Sequence, residues 1–407
     1  MPSRYASLSR ADLAILVPEL LLCGHLIDRS GMSWALAEFG REGMTQIAIE
    51  EWAAASPIYT RRMQQALGFE GDDVVTIFKS LQLDIGAPPQ FMDFRFTVHD
   101  AQHGEFHLDH CGALLDVEPM GDEFVVGMCH DIEDPTFDAT AVATNPKARI
   151  RPIHRPPRVP SDRHPHCAWT VEIDPSLPDV EPIAALAVTE RTRAAILELD
   201  PVVPGGDGTA GYTGPLLSDL DFSAFSHSAL VRMADEVCLQ HHLLNLSFLL
   251  AVQARTASPT LRHGIASRQL IGIAGLTAER LHRALRLPAT AAGAAQVLAV
   301  HPLANPAAYV TATVEGTSVT VARSPAHDDG AWIALCGPEH PEPLQAVVRA
   351  VDPSLDVVMT GTASAWRADV VVRDTPAKEF DEVTVTRFSG GAAFAFQPRA
   401  SLPIVAG

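Results

Sequence analysis

Apolar residues recur at helical spacing over residues 11–69 and 228–287. The pattern is interrupted at residues 40–43 in the first stretch and at Ser258-Pro259 in the second, so each reads as a helical hairpin or longer helical unit. Period-two alternation follows each stretch, over 92–99 and 106–111 in the first half and over 308–315 and 319–324 in the second. A helix over 120–132 is expected to stop near Asp134-Pro135, and a counterpart near Asp352-Pro353. A strand is expected from Cys167 to Ile173, a helix over 183–198 and a Gly/Pro-rich loop over 200–213. Strands over 369–372 and 383–396 would complete the second sheet.

The two helical stretches share more than periodicity. Residues 19–30 read ELLLCGHLIDRS and residues 236–247 read EVCLQHHLLNLS. Glu19/Glu236, His25/His242, Leu26/Leu243 and Ser30/Ser247 fall at identical offsets. Ile47-Ala48 then matches Ile265-Ala266, and Arg62 with Ala66-Leu67 matches Arg280 with Ala284-Leu285. The pattern predicts an α+β protein of two tandem pseudo-symmetric copies, each a helical unit packed on a small antiparallel sheet. The boundaries are 1–175 for a His/Cys-rich first unit, 176–225 for a Pro/Gly-rich linker with one helix, and 226–407 for a degenerate second copy. Helices apolar around most of their circumference must be buried, and the matched pair predicts packing of one copy on the other, as in a fused two-fold dimer. His25 and His242 would then approach the symmetry axis.

Charge narrows the partners. The formal net charge is −19 over 407 residues, which repels a phosphate backbone and argues against nucleic acid. No run of about 18 apolar residues is evident, so no membrane partner is expected. Six dispersed cysteines without a secretory signal predict reduced thiols and a cytoplasmic location. A homo-oligomer is compatible with the sequence. No Walker loop, no GxGxxG after a strand and no HExxH occurs.

Candidate chemistry is concentrated between residues 99 and 167, where Cys111, Cys129 and Cys167 stand among His107-Leu108-Asp109-His110, His130-Asp131 and His164-Pro165-His166. Thiolates and imidazoles are the ligand set of zinc and related transition metals. A thiol beside an imidazole is also an activated nucleophile. On a strand, His107, Asp109 and Cys111 would share one face; a solvated polar strand is the alternative. The candidate catalytic residues are Cys111, His107, His130 and Asp131. The candidate metal ligands are Cys111, Cys129, Cys167 and His166, holding a divalent transition metal, zinc or iron. His25 and His242, costly inside apolar helices unless paired, are candidates for substrate binding. His327 and Asp328 in the second copy are the others. There, Ser324 stands in the position of Cys111 and about Val347 in that of Cys129.

These motifs carry a resemblance. Residues 10–175 resemble the L-2-amino-thiazoline-4-carboxylate hydrolase-like family, through a helical N-terminal unit with the Leu67-Gly68…Gly71-Asp72-Asp73 hinge, a strand leading to Cys111, Cys129 within GMCHDIEDP, and a strand starting at Cys167. They are also similar to 4-vinyl-reductase-type domains, in which a helical segment precedes a small-molecule-binding α/β unit with a cysteine-rich metal site. The resemblance carries over Cys111, Cys129 and Cys167 by position. It implies a metal- or thiol-dependent enzyme hydrolysing a C–N bond in a small heterocyclic or amide-like substrate. The alternatives are a small-molecule-binding sensor with a structural Cys/His metal site, and a redox protein with reactive thiols.

Overall fold

The structure of the protein is a computed structural model that describes residues 2–405. Helix α1 (Arg10–Leu67) starts at Ser9, whose hydroxyl accepts from the Asp12 amide. It is broken at Gly40, where φ of 69° is a conformation that glycine adopts without a Cβ clash. α1 is therefore two antiparallel arms. After α2 (Val74–Leu81), strands β1 (Met92–Val98) and β2 (His103–Cys111) form a hairpin. Short helices α3 (Gly112–Val117) and α4 (Asp122–Val126), then α5 (Glu133–Ala141), separate it from β3 (Ala148–His154) and β4 (Cys167–Ile173). The sheet order is β1-β2-β4-β3, all antiparallel.

The linker holds two short helices, α6 (Ala184–Thr189) and α7 (Arg193–Ile196), where one was expected. The second unit opens at Ser226, which caps α8 (His227–Arg255), and α9 (Pro259–Ala284) returns antiparallel after the Ser258 cap. Then come α10 (Ala291–Val300), β5 (Ala312–Glu315), β6 (Ser318–Val321), α11 (Pro325–Asp329), α12 (Glu342–Val351), β7 (Leu355–Thr362) and β8 (Ala365–Val372). The second sheet runs β5-β6-β8-β7, the same order as the first. α5 packs on β3 as α12 packs on β7, and α1 lies along both α8 and α9. The architecture is α+β in two units around one apolar core, which runs from Leu13 and Phe106 through Leu239 to Trp366.

Several expectations are corrected. The helix expected over 120–132 does not stop at Asp134-Pro135. A π-helical stretch, Gly127–Ile132, joins α4 to α5, and Pro135 lies inside the continuous run, just after that stretch. Residues 383–396 form no strand. Their start is helix α13 (Asp381–Thr386), seated against Gly272 and Gly275 of α9, where any Cβ would strike Thr386 or Val383. α8 is long and apolar enough to cross a membrane, contrary to the reading of the sequence. However, 78% of its most apolar window is buried within the protein, as in a core helix. His25 and His242 do not meet. His242 Nε2 bonds the Asn305 carbonyl at 2.8 Å, while the His25 ring lies against Phe91. Its neighbour His241 makes the crossing, bonding the Leu20 carbonyl at 2.8 Å.

The two units are locked by a reciprocal pair of ion bridges. Arg62 donates from Nε and Nη2 to both oxygens of Glu236, at 2.9 and 3.1 Å. Arg280, the match of Arg62, reaches Glu19, the match of Glu236, at 2.7 Å. Each arginine also holds an outlying segment by its Nη1: Arg62 the carbonyls of Ala195 and Leu197, Arg280 those of Gly391, Ala392 and Phe394. The termini are exchanged as well. Arg4 bonds the Ala312 carbonyl in the second unit, and the C-terminal segment returns to the first, with Arg399 on Asp93.

Removing one member of a buried pair leaves an unpaired charge. Arg280→Met is therefore expected to lower the unfolding free energy by about 3–5 kcal/mol, and to open residues 389–399 to protease. Arg280→Lys, a point charge without the planar fork, should retain most of the stability and still expose that segment. Unchanged cleavage in both variants would contradict the tie.

Candidate functional site

The cysteines come first, because the sequence singled them out. β2 carries a bulge: Phe94 pairs with Leu108 but Met92 pairs with Cys111, one residue too many on β2. A bulge reverses the alternation of side chains. His107 and Asp109 therefore stay on the outer face, with Nε2 and Oδ1 3.4 Å apart, while Cys111 turns inward and is buried. The row His107, Asp109, Cys111 does not form. Cys111 caps α3, accepting from the Leu114 amide at 3.4 Å, as Ser324 sits at the N-cap of α11.

Cys111, Cys129 and Cys167 do approach one another. Burial raises all three thiols, Cys111 to about 12, and for each the next cause is the charge of Glu133; Cys111 also acts on Cys129 and Cys167. All three thiols are therefore held protonated. His166 is buried, its pKa lowered to about 4 chiefly by burial, and its Nδ1 accepts the Cys111 amide at 3.2 Å. Among the described residues no three His, Cys, Asp or Glu side chains are arranged to hold a metal ion. His130 Nε2 is 2.7 Å from the Pro156 carbonyl, and Asp131 is exposed. His327 bonds Ser324 at 2.9 Å and Asp328 pairs with Arg323, both in the second unit. Neither lines the first-unit cavity described next.

That cavity lies between α1, α5 and the start of β1. It has a volume of about 80 Å³. Its polar lining comes from His25, Asp28 and Arg29 on the first arm of α1, Tyr59 on the second, Asp84 after α2, and Glu133 on α5. Trp52 and Phe137 supply aromatic walls. The π-helical stretch sets the α5 side. The Glu133 amide bonds the Met128 carbonyl, a five-residue step that marks a π-turn, and Met128, Ile132 and Glu133 all line the cavity. Such stretches recur at functional sites. Leu81, Ala87 and Met92 also line a groove of about 890 Å³ between α1, β1 and the C-terminal segment, so one layer of side chains separates groove from cavity.

The charges are unusual for a core. Arg29 pairs with Asp28 and, at 3.3 Å, with Asp116. Asp116 is in turn bonded by Ser389 and the Gly390 amide of the C-terminal segment. Behind Asp28, Glu51 is fully buried, and burial followed by the Asp28 charge raises its pKa well above the usual carboxylate range. Burial lowers the pKa of His25 well below its ordinary value, with the Arg29 charge adding to it, so its ring is neutral. Asp84 accepts from Tyr59 Oη at 2.8 Å and from the Gly86 amide at 2.6 Å; burial outweighs these bonds and raises it to about 6. Burial, then the Asp134 charge, raises Glu133 to about 8, and its Oε2 has no hydrogen-bond partner among the described residues.

Of the residues proposed from sequence, His25 lies on this cavity; Arg29, Glu51, Tyr59, Asp84 and Glu133 were missed. A signal existed in the matched helices. Asp28 and Glu51 correspond to Asn245 and Gln269, which bond each other at 2.8 Å, and Arg29 to Leu246. The second unit is neutral at the positions where the first is charged.

Glu133 gives a stability test. Its folded pKa of about 8 exceeds its ordinary 4.5. The unfolded chain ionises first, so the stability tied to this group is complete below about 4.5 and lost as pH rises through about 8. Glu133→Gln removes that loss. The melting temperature of the variant minus that of the native protein should therefore grow with pH across this range. A constant difference would show that Glu133 titrates as an ordinary carboxyl.

Comparison of the chain with protein-family models, with curated proteins and with solved structures finds no match.

Proposed function

We propose that the protein is an enzyme acting on a small molecule in the first-unit cavity by acid–base chemistry, with hydrolysis of a C–N bond as the reaction class. The observation that carries this reading is a pair of carboxyls lining one cavity, Asp84 near 6 and Glu133 near 8. Two carboxyls whose environments separate their pKa values supply a base and an acid at the same pH. Near neutrality Asp84 is mostly ionised and takes a proton from the attacking water. Glu133 is mostly protonated and gives its proton to the leaving nitrogen. Arg29, fixed by Asp28 and Asp116, and neutral His25 orient the substrate. Thiol attack is the weaker version of this reading, because none of the three cysteines lines the cavity.

We also propose that the units descend from one duplicated unit, supported by the shared strand order and the reciprocal Arg–Glu pairs. The second unit then shapes and braces the site of the first.

A panel of small amides and cyclic amidines tests the activity. Turnover should follow a bell with limbs near 6 and 8, set by Asp84 and Glu133. Glu133→Gln and Asp84→Asn should each reduce kcat by about 10²–10⁴-fold, and each should remove its own limb. A native profile in either variant would refute the assignment. Retention of binding without turnover of any member would favour the small-molecule sensor.

A further inference from the structure

We infer that the cavity is built for a compact nitrogen cation bearing N–H donors, and that the leaving group of the reaction is a small primary amine, released as its ammonium ion. The inference rests on the acid–base reading for the word "leaving", but its binding claim stands on the cavity alone.

The charge count comes first. The cavity is lined by three carboxyls, Asp28, Asp84 and Glu133, and by one cation, Arg29. That cation is already committed to two carboxylates, Asp28 and Asp116. His25 is neutral. Asp84 is left as a lining carboxyl that is mostly ionised near neutrality and has no cationic partner in the lining, so an anion is disfavoured there and a cation is favoured. The second observation is independent of the count. Glu133 is only 8% exposed and lines the cavity, and its Oε2, enclosed in the wall, has no partner among the described residues. A buried polar atom without a partner costs free energy. Glu133 by itself is mostly protonated near neutrality, a cation beside it favours the ionised form, and an ionised carboxylate is a pure acceptor. An ammonium N–H supplies what it lacks, as a charge-assisted bond. Trp52 and Phe137 present aromatic walls to the same space, and an aromatic face attracts a cation. A volume of about 80 Å³ limits the occupant to a few heavy atoms, since a cavity of about 150 Å³ takes benzene.

The chemistry balances. Water attacks the substrate carbon and loses a proton to Asp84. The C–N bond breaks, and the nitrogen takes the bond pair and the Glu133 proton. The amine leaves basic and takes up the proton that Asp84 had received. The products are a carboxylic acid, an ammonium ion and Glu133 as its carboxylate, which pairs with that ion until the acid product returns a proton.

The test uses the full chain and three probes of similar size: ethylammonium, tetramethylammonium and acetamide. Binding is followed by NMR titration and by thermal stabilisation. Ethylammonium should bind about tenfold more tightly than acetamide, which lacks charge, and than tetramethylammonium, which lacks N–H donors. Glu133→Gln should abolish the preference. Should that variant not fold, Trp52→Leu, which places in the first unit the residue the second carries as Leu270, should weaken ethylammonium and leave acetamide unchanged. Equal binding of ethylammonium and acetamide would overturn the inference, as would a preference that survives both substitutions. Ethylammonium selectivity without turnover of any amide sinks the acid–base reading and upholds the cation site; amide turnover without that selectivity does the reverse.

Discussion

Two guanidinium groups, one half-buried and one fully buried, set the frame on which everything else is hung. Arg62 and Arg280 sit at matched places in the two helical hairpins, and each grips a glutamate within the other unit's first helix. Neither bridge can form unless both hairpins are in register. Desolvating an ion pair is costly, so such a pair contributes more to specificity of arrangement than to raw stability. Each arginine spends its remaining donors on backbone carbonyls of a segment with little regular structure, the linker near Ala195 in one case and the C-terminal segment near Gly391 in the other. The second of these reaches the cavity. Ser389 and the Gly390 amide hold Asp116, Asp116 holds Arg29, and Arg29 lines the cavity wall. The bridge that joins the units therefore also fixes the charges of the candidate site.

The contrast between the units separates architecture from chemistry. Both need the helical hairpin, the sheet and the cross-bridge, and both have them. Where the second unit fills its interior with the hydrogen-bonded amides of Asn245 and Gln269, the first places Asp28 and Glu51. Burying those carboxyls costs more than burying the amides. A site that keeps unfavourable charges while its twin does without them is the pattern expected when stability is traded for function.

Much of the fold was legible in the sequence, and the physics explains which parts. The matched helices, the Ser226 start of α8 and the strand Cys167–Ile173 depend on local periodicity and caps, which are written residue by residue. The bulge in β2 is not. It moved Cys111 away from His107 and Asp109, and no local pattern announced it. The apolar run 383–396 looked like a strand because alternation cannot reveal that Gly272 and Gly275 make room for a helix. At the site, eye-catching residue types misled. Histidines of the His99–His107 stretch pair with neighbouring acids at the surface, as His99 does with Glu105. Glu51, Asp84 and Glu133 look ordinary in sequence, and burial, joined at Glu51 and Glu133 by a neighbouring acid, makes them chemically distinctive.

The central claim is that the buried charges of the first unit serve chemistry rather than stability. The second unit supplies the control, because it shows that Asn, Leu and Gln fit the same scaffold where the first unit has Asp28, Arg29 and Glu51. The measurement is equilibrium unfolding of the triple variant Asp28→Asn/Arg29→Leu/Glu51→Gln, which leaves no cation unpaired, beside the native protein. Stability equal to or above native, with loss of activity on the amide panel, is the predicted result. A variant markedly less stable than the native protein would show that the charges hold the fold together, and the functional reading of the cavity would fall.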